Sequence, residues 1–182
     1  MNGGSASFHE SDTREGVVTT SHEGKSLERK LRVAFFGAGR HAQHHARAVL
    51  RCDSAELIAI ADPYDSAQAA MCQIVPGVKT YRTPVELLDA CKPDVVHVIT
   101  PPSSHAALAH MALQAGCHIY VEKPLTEGLE DAERILREAQ SRGLLVCAGH
   151  QLLYEPPTRM LTKYIPSIGA LVHIESYFSF QS

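Results

Sequence analysis

The chain has 182 residues, 45 % of them hydrophobic and 20 % charged, with a formal net charge of −3. Those are the proportions of a soluble globular protein, and the charge recommends neither nucleic acid nor an anionic membrane surface as a partner. No apolar run approaches the roughly 18 residues that span a bilayer, and the N-terminus lacks the apolar core of a secretory signal.

Residues 1–30 mix Gly, Ser, Thr and charge. Such a segment cannot bury enough apolar area to offset the entropy of ordering it, so a mobile tail is expected there. From residue 31 short apolar runs alternate with helical periods. LRVAFF (31–36) reads as a strand and RHAQHHARAVLR (40–51) as a helix. ELIAIA (56–61) is a second strand, SAQAAMCQ (66–73) a short helix, and VKTYR (78–82) a weak strand. Thr83-Pro84-Val85-Glu86 offers a capping box with proline at the first helical position, which predicts a helix over 84–90. DVVHVIT (94–100) is a strand stopped by Pro101 and Pro102, and SHAALAHMALQA (104–115) a helix stopped by Gly116. HIYVE (118–122), LEDAERILREAQSR (129–142) and LLVCAGH (144–150) continue as strand, helix, strand, and a further helix is expected over 155–165. Nearly continuous apolar strands alternating with helices specify βαβ units, hence a doubly wound α/β domain with a parallel sheet over 31–150. ALVHIESYFSF (170–180) differs: Val172, Ile174, Ser176, Phe178 and Phe180 share one face, the mark of a half-buried antiparallel strand. Residues 151–182 therefore read as the start of an incomplete second domain.

The five cysteines, Cys52, Cys72, Cys91, Cys117 and Cys147, lie far apart with no C-x-x-C. They read as reduced, buried thiols of a cytoplasmic protein.

In an open α/β sheet, ligands sit beyond the carboxyl ends of the strands. The first such end is G-x-G-x-x-A: Gly37 permits the tight turn, Gly39 admits a pyrophosphate to the helix N-terminus, and Ala42 serves close helix–strand packing. Asp62 ends the second strand, 20 residues past Ala42, where a carboxylate accepts from the adenosine ribose hydroxyls. Its charge repels a 2′-phosphate, so NAD is favoured over NADP, although Arg40 at the phosphate mouth could compensate. His41 and His45 are spaced to share a metal, but no third ligand or H-E-x-x-H pattern accompanies them, and no metal site is expected. His41 is read as phosphate-facing or surface.

The chain resembles the Gfo/Idh/MocA oxidoreductases, the glucose–fructose oxidoreductase and inositol dehydrogenase type. The resemblance rests on FFGAGRHAQHHARA (35–48), IADP (60–63), VITPPSSHAALAHMALQAGCHIYVEKPL (98–125), and the GH…EPP turn with IGALVHIES (149–176). It implies an NAD(P)-dependent dehydrogenase or reductase acting on a sugar, polyol or related small molecule. It places Lys123 beside the nicotinamide and the reacting carbon. An ammonium partly buried there suits proton relay or polarisation of an alkoxide. Glu122 would position the lysine or the nicotinamide amide, and Thr100, Pro101 and Pro102 would wall the nicotinamide ribose. His105 either faces the cofactor or bonds the start of its own helix. His150 faces the place where a substrate domain would lie. The family's second domain forms its oligomer interface and carries an Asp and a His, the His being the usual general base. That domain is represented here by its first strand alone, and Leu153 stands where the family has arginine. The alternative to an oxidoreductase is a non-catalytic NAD-binding module with a sensing or interaction role.

Overall fold

A computed structural model describes residues 29–170, 172, 173 and 175. The tail expected over 1–30 falls, apart from its last two residues, outside this set, as does most of the strand expected over 170–180.

Six strands form one parallel sheet in the order β3-β2-β1-β4-β5-β6. They are β1 (Leu31–Phe36), β2 (Ala55–Ala61), β3 (Lys79–Tyr81), β4 (Val95–Val98), β5 (His118–Val121) and β6 (Val146–Ala148). The helices are α1 (Arg40–Leu50), α2 (Asp65–Ile74), α3 (Pro84–Cys91), α4 (His105–Gln114), α5 (Leu129–Ser141) and α6 (Pro156–Tyr164). Chain order reverses between β1 and β4, and the crevice at such a switch point is where α/β sheets take their ligands.

Alternation along the strands sends side chains to two cores. Ala34, Phe36, Val96, Val98 and Val121 face α3, α4 and α5, packing on Leu87, Leu113 and Ile135. Val33, Phe35, Leu57 and Ile60 face α1 and α2, packing on Ala42, Ala46 and Met71. Ala42 is fully buried, so the third position of the glycine motif does serve close helix–strand contact. The capping box forms as expected: Thr83 Oγ1 accepts from Glu86 N–H at 3.3 Å, and Glu86 Oε2 accepts from Thr83 N–H at 3.1 Å.

Differences from the sequence reading are local. The α4 helix is preceded by a 3₁₀ turn over Pro102–Ser104. The β6 strand is shorter than the expected 144–150 because Leu144 N–H bonds the Ala139 carbonyl at 2.8 Å, which spends that residue on closing α5. At its other end His150 N–H turns back onto the Ala148 carbonyl. The cysteines are not all buried: Cys91 and Cys117 are, Cys147 is half-buried, and Cys52 and Cys72 are exposed. Cys52 sits in the turn after α1 and Cys72 on the solvent face of α2, where no strand is in reach. No helix among the described residues is long and apolar enough to cross a membrane.

Candidate cofactor and active site

The ladder hydrogen bonds run one residue past the strands, and so place the carboxyl-end residues rigidly. Gly37 N–H bonds Ala61 O, Asp62 N–H bonds Tyr81 O, Ile99 N–H bonds Phe36 O, Glu122 N–H bonds Val98 O, and Gly149 N–H bonds Val121 O, all at 2.8–3.0 Å. The sheet itself is therefore the scaffold of the site.

Gly37 has φ +96°, and a Cβ there would lie 2.5 Å from the Ile99 carbonyl oxygen. Only glycine lets β1 and β4 close at this point. Gly39, the residue before α1, has φ −67° and open space where a Cβ would be. Its emptiness is on the ligand side, as close approach of an anion to the helix N-terminus requires.

Asp62 is buried, and its two oxygens hold the surrounding loop: Oδ2 accepts from Ala38 N–H at 2.8 Å and Oδ1 from Tyr64 N–H at 2.9 Å. Each oxygen retains a further lone pair for a ribose hydroxyl. The residue thus braces the glycine loop while facing a cleft of about 550 Å³ walled by Gly37, Gly39, Asp62, Tyr64, Thr100 and Pro101. This cleft is mainly apolar, as suits an adenosine. Arg82, which sequence reasoning passed over because β3 is so short, also reaches it. Its guanidinium donates to Asp65 Oδ1 at 2.6 Å and to the Pro63 carbonyl at 2.9 Å.

A second, smaller cavity of about 190 Å³ shares Thr100 with the first and adds His41, Pro102, Glu122 and Lys123. A third, of about 240 Å³, shares His41, Glu122 and Lys123 and adds His44, His45, Tyr120 and Gln151. The three cavities follow one another over the ends of β2, β1, β4 and β5 as a row, or trough, in which neighbours share wall residues.

Three expected residues do not join it as foreseen. His105 is fully buried, with Nδ1 2.7 Å from the Pro124 carbonyl and Nε2 2.8 Å from the Thr100 carbonyl. It ties the loop after β4 to the loop after β5 from below, and a contact with cofactor is closed to it. Arg40 and His150 are exposed and line none of the three cavities. Lys123 is at the trough but exposed rather than partly buried, because it stands past the last ladder bond, on the rim. The Lys123–Pro124 peptide is cis. Among the described residues no group of three His, Cys, Asp or Glu side chains could hold a metal.

The pattern of one protein family, described as an oxidoreductase family with an NAD-binding Rossmann fold, matches residues 31–150. The chain belongs to the Gfo/Idh/MocA oxidoreductases. Its relatives in that family include scyllo-inositol 2-dehydrogenase (NAD(+)) of Bacillus subtilis, 28 % identical over 131 residues, or 71 % of this chain and 38 % of the relative. D-glucoside 3-dehydrogenase of Escherichia coli is 32 % identical over 136 residues, 74 % of this chain and 39 % of that protein. Among solved structures, the WlbA dehydrogenase from Bordetella pertussis in complex with NADH and UDP-GlcNAcA is 26 % identical with a TM-score of 0.72, covering 77 % of this chain and 40 % of that one. The chain spans about two-fifths of the length of these relatives. Within the Gfo/Idh/MocA frame, residues 31–150 are the NAD-binding Rossmann fold.

Proposed function

We propose that this chain is the cofactor-binding part of an NAD-dependent oxidoreductase that transfers hydride between the nicotinamide and a hydroxyl-bearing carbon of a sugar or polyol. The observation that carries the reading is one trough running from Asp62 past Gly39 and Thr100 to Glu122 and Lys123. Its order of chemistries matches a dinucleotide: apolar walls with a ribose acceptor first, then open backbone for pyrophosphate, then a carboxylate and an ammonium. The trough also fits the family's group on its own geometry, since the one point where a side chain would block phosphate is glycine with empty space before it.

When bound, NAD supplies the hydride acceptor. Asp62 accepts from the adenosine ribose and disfavours a 2′-phosphate. Pro101 lines the adenosine cleft, and Thr100 and Pro102 wall the nicotinamide half together with His41. Glu122 accepts at the nicotinamide end, and the Lys123 ammonium stabilises the oxygen that carries charge as the carbinol is oxidised. Residues from 151 onward begin a substrate domain, which brings the general base and forms a homo-oligomer interface. The relatives that act on inositols and glucosides support the substrate class, and a cytoplasmic setting fits the free cysteines. The test is NADH formation by the full-length gene product across inositols, glucosides and UDP-sugars, with NADH and NADPH titrations of the present chain. Absence of NADH binding removes the reading. Binding without turnover of any carbinol by the full-length product favours a non-catalytic module.

A further inference from the structure

Beside Lys123, four side chains from separate elements meet in a cluster that the cofactor contacts leave unexplained. Phe35, His97 and Tyr120 stand in register across β1, β4 and β5. The His97 ring stacks on Phe35 at 5.1 Å and lies against Tyr120 at 4.9 Å. From α1, His45 caps this row edge-on, 5.5 Å from His97 and 5.2 Å from Tyr120. Its Nε2 is 3.0 Å from Glu122 Oε1, and its Nδ1 is 3.4 Å from His97 Nδ1.

Hydrogen-bond chemistry fixes the protons. A carboxylate only accepts, so His45 Nε2 carries hydrogen. Burial pushes His97 down to about 3 and takes His45 below its ordinary value despite the neighbouring Glu122 carboxylate, so both rings are neutral near pH 7. A neutral His45 with hydrogen on Nε2 has a lone pair on Nδ1. The proton between the two rings therefore sits on His97 Nδ1. Glu122 collects two further donors, Tyr120 O–H on Oε1 and Lys123 N–H on Oε2, both at 3.3 Å. The far side is closed as well, since a Cβ on Gly149 would fall 2.6 Å from Tyr120 Oη and 3.2 Å from Glu122 Oε1.

We propose that His45 is a positioning residue: as the Nε2–H tautomer, locked by the proton on His97 Nδ1, it fixes the Glu122 carboxylate in the orientation that receives the nicotinamide end of NAD. This rests on the cofactor reading above and adds to it a specific device, a two-histidine chain anchored in the sheet, that sets one contact group before cofactor arrives. Pre-setting the acceptor removes an ordering cost from binding.

The experiment has two arms on the full 182-residue chain near neutral pH. Long-range ¹H–¹⁵N spectra of histidine-labelled protein without cofactor are expected to show the Nε2–H tautomer for His45 and Nδ1–H for His97. A His45 ring with its proton on Nδ1, or charged at both nitrogens, overturns the proposal whatever the cofactor result. NADH is then titrated by fluorescence into the wild type and His45→Gln, His45→Leu and His97→Phe variants. Glutamine keeps a donor for Glu122 and is expected to bind within roughly threefold of wild type. Leucine loses a charge-assisted hydrogen bond and is expected to weaken binding roughly tenfold. His97→Phe keeps the stack but removes the donor to His45 Nδ1, so the ring loses its second anchor: NADH binding should weaken severalfold while Glu122 still holds hydrogen on His45 Nε2. Equal affinities for Gln and Leu, or NADH binding unchanged by His97→Phe, overturn the proposal. If leucine unfolds the chain, the glutamine and phenylalanine variants decide. A wild type that does not bind NADH defeats the cofactor reading, and the tautomer arm still judges the histidine chain.

Discussion

The two motif glycines make a paired test, because the structure assigns them opposite jobs. Gly37→Ala puts a side chain at φ +96°, with its Cβ 2.5 Å from the Ile99 carbonyl oxygen and 3.2 Å from Thr100 Cγ2. The left-handed backbone costs about 1–2 kcal/mol. The clash is with main chain that is itself bonded to Phe36, so it cannot be relieved by a rotamer. Overpacking of that kind adds about 1–3 kcal/mol. A total of roughly 2–5 kcal/mol is a large part of the ~5–15 kcal/mol that holds a domain folded. It should lower Tm by roughly 10 °C or more, at about 4 °C per kcal/mol for a domain of this size. Gly39→Ala meets nothing within 4 Å and keeps an ordinary φ of −67°. The lower unfolded-state entropy and the poorer N-cap roughly cancel, so Tm should stay within about 2 °C. Its methyl nevertheless stands where the pyrophosphate approaches, and NADH affinity should fall by roughly tenfold or more. Thermal unfolding by circular dichroism and NADH fluorescence titration read the two effects. A Gly37→Ala protein as stable as wild type, or a Gly39→Ala protein that binds NADH normally, refutes this division.

Asp62→Asn keeps an acceptor for the loop but removes the charge facing the ribose. Its effect on the preference for NADH over NADPH should be at least roughly fivefold, from the ~1 kcal/mol that one charge exerts on another at ~4 Å even in water; an unchanged ratio of dissociation constants argues against it. His97 gives a pH signature. Its folded ring stays neutral down to about 3, whereas the unfolded ring takes a proton below about 6.5. Stability must then fall as pH drops through that window, by up to ~1.4 kcal/mol per pH unit. Urea unfolding of wild type and His97→Phe between those limits should show a shallower acid slope in the variant. Lys123→Ala in the full-length protein should lower kcat by roughly 10²–10⁴-fold with NADH affinity nearly unchanged, measured by steady-state turnover and titration. His105→Leu removes the buried ring that lies between the Thr100 and Pro124 carbonyls and donates to one of them, and should cost about 1–3 kcal/mol in urea unfolding.

The strands and their parallel arrangement were legible because each is an apolar run bounded by turn chemistry, and every expected element over 31–150 is present. That the motif glycines, Asp62, Thr100, Pro101, Pro102, Glu122 and Lys123 stand at the carboxyl ends of strands was legible because those ends are marked by Gly and Pro. What was not legible depended on register. His97 and Tyr120 are 23 positions apart and meet only because β4 and β5 pair Val95 with His118. His45 could be placed on a helix but not aimed, since its partner lies 77 residues away. His105 stayed between two readings for the same reason: a histidine at a helix start reads alike whether it looks up at a ligand or down at main-chain carbonyls. Arg82 was missed because its reach is set by a salt bridge to Asp65 that no local pattern announces.

His105 also has a mechanical meaning. One planar ring, with no freedom to lengthen, spans the gap between the Thr100 and Pro124 carbonyls. It works as a strut between the loops that follow β4 and β5. Spreading one from the other would take the donor from the carbonyl that accepts its proton, beside a ring that is itself fully buried. At the other end buried Asp62 makes the corresponding tie, joining the loop after β2 to the glycine loop through Ala38 N–H. That end's wall at Tyr64 is exposed and its gate at Arg82 is held by a pair open to solvent. Both ends of the trough are thus tied from within the fold, and what stays open to solvent is its outer rim at Tyr64, Arg82 and Lys123.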